Sequence, residues 1–171
     1  MSSFVTSYIP TTSVSVTRAA DVAVMPTNVS WYSAATGSLV VEFLQPRSVT
    51  QFYSLPSLAT DGANALENRI AADTPSTVVF NANSNVGSVS PGSVISYGVR
   101  QTLGLSYVAS TMRLTTALNG GAVVAGTVTG WPVLSQIMMG AIRQANQNGY
   151  VRRITYWNRA LSDTEMQQVT T

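Results

Sequence analysis

Apolar and hydroxyl side chains alternate along Thr12-Ser13-Val14-Ser15-Val16, the period-two pattern of a strand buried on one face. Val, Ile and Thr dominate the rest of the chain, and turn residues recur at short intervals. The pattern therefore predicts strands over 12–18, 20–25, 38–44, 51–55, 68–72, 76–81, 94–101, 104–110, 112–118, 122–128, 136–141 and 150–157. Many short strands with frequent turns read as an all-β sandwich or barrel. Asn119-Gly120-Gly121 lies between two of them, and Asn-Gly tolerates positive φ at both positions, so a tight hairpin is expected there. The least patterned stretch, 56–91, carries Asp61-Gly62, Asn64, Asn81, Asn83, Asn85 and Pro91-Gly92, and reads as loops at a sandwich end. One helix start is marked: Ser162-Asp163-Thr164-Glu165 fits a capping box, with Leu161 and Met166 as its hydrophobic staple. At about two turns, this helix must draw its stability from packing Leu161, Met166 and Val169 on the sheets.

The chain of 171 residues matches one domain, 1–171, and shows no repeat or linker that would divide it. It holds no cysteine, histidine or lysine. Disulfides and thiolate chemistry are thereby excluded, as are Ser-His-Asp triads and Ser-Lys dyads, which need a neutral base beside the hydroxyl. All nine basic residues are arginine and the net charge is +2, with only Arg152 and Arg153 adjacent, so no nucleic-acid surface is read. No stretch reaches the roughly 18 apolar residues of a membrane span. Met1 to Pro10 has neither a basic nor an apolar leader region, so no signal peptide is read.

Glycoside hydrolysis needs two carboxyl groups at a fixed separation. Glu42 is followed by Phe43, Leu44, Gln45, Pro46 and Arg47, with no second acid. Asp61, Glu67 and Asp73 remain as loop carboxylates that would have to meet in space, and a polysaccharide hydrolase is the most distant reading. No cofactor is expected. Asp61 and Asp73 are the weak calcium candidates, weighed against the commoner use of Asp and Asn in capping turns. Sugar binding calls for an aromatic ring against a pyranose face plus planar polar groups. Trp131, in Thr129-Gly130-Trp131-Pro132, leads the candidates, followed by Trp31 and Tyr32, with Asn64 as a polar contributor. For each ring the commoner alternative is an amphipathic side chain closing the sandwich end. Arg18 and Asp21 are assigned to structure, as an ion pair or turn contacts near the first strand. Strict alternation along 151–157 places Val151, Arg153, Thr155 and Trp157 on one face and Arg152, Ile154 and Tyr156 on the other, so an arginine reaches each face. One of the two arginines is expected to meet a neighbouring subunit or a carboxylate under the terminal helix.

Three segments carry a family likeness. Ser7-Tyr8-Ile9-Pro10-Thr11-Thr12 with Val16-Thr17-Arg18-Ala19-Ala20-Asp21-Val22 resembles the opening segment of concanavalin A-like (laminin G-like) domains of bacteriophage and prophage structural proteins. Leu118-Asn119-Gly120-Gly121 resembles their core hairpin, and Gly149 to Trp157 with Arg159-Ala160-Leu161-Ser162-Asp163 and Glu165-Met166 is similar to their closing strand and helix. The resemblance implies a two-sheet antiparallel jelly roll with a short C-terminal helix. It further implies a non-enzymatic virion surface protein, made in the host cytoplasm and carried as a capsid decoration, head fibre or tail-fibre domain. Its implied partners are other virion proteins, sister copies in a homo-oligomer, and host-surface polysaccharide. A pure assembly module that binds no sugar fits the same likeness.

Overall fold

The computed structural model describes residues 23–27, 30–46, 48, 52–139, 142, 143, 145, 146 and 149–171. The strand expected over 12–18, and Arg18 and Asp21 with it, lie outside these residues. Within them the strands are β1 (Ala23–Pro26), β2 (Thr36–Leu44), β3 (Tyr53–Ser54), β4 (Ser57–Ala59), β5 (Ala65–Ala71), β6 (Thr74–Asn81), β7 (Ser84–Val89), β8 (Arg100–Val108), β9 (Arg113–Leu118), β10 (Val124–Thr127), β11 (Gln136–Met139), β12 (Ala145–Asn146) and β13 (Tyr150–Trp157). One helix, α1 (Asp163–Val169), closes the chain.

The strands form two sheets. The larger, of eight strands, runs β1-β11-β4-β5-β3-β12, with β6 also on β5 and β7 beyond it; the smaller is β10-β9-β8-β2-β13. Every pairing is antiparallel except β12 on β3, which is parallel. Alternation sends Leu39, Val41 and Phe43 of β2 and Leu103, Leu105 and Tyr107 of β8 inward, against Leu58, Leu66, Ile70, Val79 and Ile137 of the larger sheet, all buried.

The stretch read as end loops, 56–91, supplies β4 to β7; the strands expected within it over 68–72 and 76–81 are β5 and β6, in the interior of the larger sheet, while β4 and β7 fall where loops were expected. Its hairpin turns are Ala72-Asp73 (φ 42° and 70°) and Ala82-Asn83 (φ 48° and 68°). Both place two successive non-glycine residues in the left-handed region, so the turns lack the Asn-Gly pair that announces a hairpin. Two other expectations merge or shrink. The strands expected over 94–101 and 104–110 are one continuous β8, and 94–99 is a loop leading into it.

At Asn119-Gly120 both residues have positive φ and the Gly121 amide donates to the Leu118 carbonyl at 2.9 Å. The ladder resumes only at Val124 opposite Thr116, so the connection is looser than the tight hairpin expected. Asn119 also staples it to β8: its Oδ1 accepts from the Thr102 amide at 2.7 Å and its Nδ2 donates to Gln101 Oε1 at 2.7 Å.

Ser162 caps α1, accepting from the Glu165 amide at 3.3 Å while Glu165 Oε2 accepts from the Ser162 amide at 2.8 Å. Arg159 forks onto the same carboxylate at 3.0 and 2.7 Å, and with the Ser162 contacts holds Glu165 down to about 2. Leu161 and Met166 bury against Val40 and Ala117 on the outer face of the smaller sheet, with Trp157 and Val169 alongside. The helix covers only part of that face, and what it leaves open forms the site below.

Candidate functional site

The uncovered part of the smaller sheet's outer face is a concavity of about 350 Å³ beside the end of α1. Three strands supply its floor. Val40 and Glu42 come from β2, Arg100 and Thr102 from β8, and Arg153, Thr155 and Trp157 from β13; Val169 at the end of α1 and Thr171 just past it form one wall. Residues two apart on a strand share a face, which is why each strand contributes alternate positions.

A β-bulge decides which residues these are. β13 pairs in register with β2 from Trp157↔Ser38 to Arg153↔Glu42, after which Val151 faces Phe43, leaving Arg152 as the extra residue. The bulge overturns the strict alternation expected for this strand. Val151 shares the register of core-facing Phe43, while Arg152 reaches the outer face, its Nε 3.2 Å from Glu42 Oε1. Both arginines therefore serve one face. Arg100 approaches the same carboxylate oxygen at 3.7 Å. Arg153 lines the concavity and, among the described residues, has no acidic partner. The site thus joins a half-buried indole, threonine hydroxyls, one carboxylate and the guanidinium groups of Arg100 and Arg153, with Arg152 adjoining on Glu42, which suits a polar ring with fixed hydroxyls.

The aromatic residues singled out from sequence lie elsewhere. Trp131 packs against Tyr107, with ring centroids 5.4 Å apart and planes tilted 30°. Trp31 and Tyr32 pack on Tyr156, at 5.3 and 5.6 Å. The Tyr107 hydroxyl donates to the Ser33 carbonyl at 2.6 Å and sits 2.9 Å from the Tyr156 hydroxyl. Burial pushes the Tyr107 phenol far above its ordinary range. These rings are partly buried against the core, each in contact with a neighbouring tyrosine.

The acidic candidates do not converge. Asp61 Oδ1 accepts from the Ala63 and Asn64 amides, both at 2.8 Å, and Asn64 Oδ1 accepts from the Ala82 amide at 3.2 Å, so this pair builds turns. Asp73 lies past the opposite end of β5 and accepts from the Ser48 hydroxyl at 3.2 Å. Roughly 20 Å of strand separates the two acids, too far to share a calcium ion. Among the described residues no three His, Cys, Asp or Glu side chains gather as a metal site. Glu67, between them, has no solvent exposure and cannot pair with either.

No family model matches the chain, and no curated protein does. Solved structures share its fold. The carbohydrate-binding module CBM40 of Ruminococcus gnavus IT-sialidase, bound to α2,3 sialyllactose, aligns over 80% of this chain and 83% of its own, with TM-score 0.64 and 13% identity. A mutant of NanB sialidase from Streptococcus pneumoniae aligns over 80% of this chain but 24% of its own, with TM-score 0.66 and 18% identity. The heptameric SAP-like pentraxin of Limulus polyphemus aligns over 80% and 70%, with TM-score 0.61 and 14% identity. The fold is a lectin-like jelly roll. Identity this low carries the architecture and leaves the site to be argued from its own residues.

Trp157, Arg100 and Thr102 were missed in the sequence, and Glu42 was weighed there only as a hydrolase acid. Only Trp157 left a trace, at alternate spacing from Arg153 and Thr155.

Proposed function

We propose that this domain is a non-catalytic glycan-binding module on the surface of a bacteriophage particle, as a capsid decoration, head fibre or tail-fibre domain. It touches host-surface polysaccharide through the concavity on its smaller sheet. The observation that carries the reading is the open pocket lined by Trp157, Thr102, Thr155 and arginine forks. The sequence likeness to phage structural proteins supplies the particle, and the shared fold of carbohydrate-binding modules is compatible with the pocket. Assembly on a virion would make the domain a homo-oligomer.

The test is a glycan microarray probed with the whole chain and with Trp157→Ala. Binding by the wild type that disappears in the variant, with an unchanged circular dichroism spectrum, supports the reading. Equal binding by both would move the site away from this pocket.

A pure assembly role draws on Val94, Tyr97, Val99, Tyr150 and Val151, all exposed around the starts of β8 and β13. That reading expects no glycan signal, and loss of particle incorporation when Val99 and Val151 are made polar.

A further inference from the structure

We infer that the ligand of this pocket is a sugar bearing a carboxylate, received by the Arg153 guanidinium while its ring lies toward Trp157; this rests on the glycan-binding reading above and narrows it. Arg100 and Arg153 line the pocket with a single carboxylate, Glu42, and Arg152 lies against that carboxylate from outside the lining. Glu42 is already shared by Arg152 at 3.2 Å and Arg100 at 3.7 Å. Arg153 is left with no acidic partner among the described residues.

Its position distinguishes it from an ordinary surface arginine. Arg153, Thr155 and Trp157 form one row along β13, and all three line the pocket. The row spans roughly 13 Å between its end Cα atoms, room for a ring at one end and its acid group at the other.

The hydrogen-bond inventory points the same way. Each guanidinium offers only donors, while the one acceptor-only side chain in the lining is Glu42, whose Oε1 lies in ion-pair range of Arg152 and Arg100 without a hydrogen bond from either. A neutral sugar needs acceptors for its hydroxyl protons as much as donors for its oxygens. A donor-rich pocket favours a ligand with surplus acceptors, and the planar guanidinium fork matches a carboxylate through two parallel bonds.

As the last strand of its sheet among the described residues, β13 also carries charge that would block strand addition. Under that role alone, replacing Arg153 leaves sugar selectivity unchanged.

The experiment is calorimetric titration of the whole chain with matched pairs: cellobiuronic acid against cellobiose, α2,3 sialyllactose against lactose, and sulfated lactose as the other acidic arm. The expected result is binding of at least one carboxylated member about tenfold tighter than its neutral partner, the effect of one hydrogen bond to a charged group. Arg153→Gln should bring that member to the neutral level, Arg153→Lys should fall between, and Trp157→Ala should weaken every member. Neutral sugars bound as tightly as acidic ones, or a preference unchanged in Arg153→Gln, would overturn the carboxylate assignment and leave the glycan reading intact. Preference for the sulfated sugar over the carboxylated ones overturns it too. No binding to any member, together with an unresponsive microarray, would overturn both.

Discussion

Glu67 stands in the middle of β5 with no solvent exposure, one carboxyl oxygen accepting from the Ser54 hydroxyl and Oε2 without a hydrogen-bond partner. Burial raises its carboxyl above the ordinary range, outweighing the lowering effects of Ser54, Arg69 and Arg143. The unfolded chain therefore releases this proton first as pH rises. The stability the group contributes is complete below the ordinary carboxylate range and is lost as pH climbs through the raised folded value. Glu67→Gln, neutral and of the same shape, is expected to raise the melting temperature at pH 7 and to change it little at pH 4. Thermal melts at both pH values check this, and an equal shift at the two would remove burial of charge as the cause. The sequence showed Glu67 only as one of three loop acids, because its environment depends on strands β3 and β6 on either side.

At the scale of elements, α1 is held by geometry as much as by its cap. A Cβ on Gly104 of β8 would overlap the Met166 sulfur and lie 2.7 Å from Thr170 Cγ2. Gly104→Ala is expected to cost about 1–3 kcal/mol in urea denaturation, the usual range for overpacking a filled contact. It should also weaken ligand binding, because Val169 and Thr171 form one wall of the pocket. Unchanged stability would mean that the helix does not seat on β8. The cap of this helix was legible because Ser162 and Glu165 are three residues apart and interact locally. The turns at Ala72-Asp73 and Ala82-Asn83 were not, although strands were expected on both sides of the first, since alanine gives no hint of positive φ and only the paired strands impose it. The bulge at Arg152 left no mark either, and one extra residue sufficed to bring both arginines to one face.

For the whole molecule, Leu105 of β8 lies fully buried between the two sheets. Leu105→Ala is expected to cost about 2–5 kcal/mol. Far-UV circular dichroism and tryptophan fluorescence should show coincident transitions, because both sheets close on that layer. Separate transitions would show that the sheets unfold independently.

The chain by itself determined that strands prevail, that two of their faces must meet, that a capped helix ends the fold, and that histidine and cysteine chemistry is excluded. Those are properties of local spacing and residue type, carried by neighbours within a few positions. The tertiary structure decided the rest: β4 and β7 joined the two strands expected within 56–91 in the larger sheet, and Trp131, Trp31 and Tyr32 packed on tyrosines at the core's edge. The pocket was also its choice, since Glu42, Arg100, Arg153 and Trp157 meet only through the register of β8, β2 and β13. Register is fixed by burying one face of every strand at once, a condition that no single stretch of sequence contains.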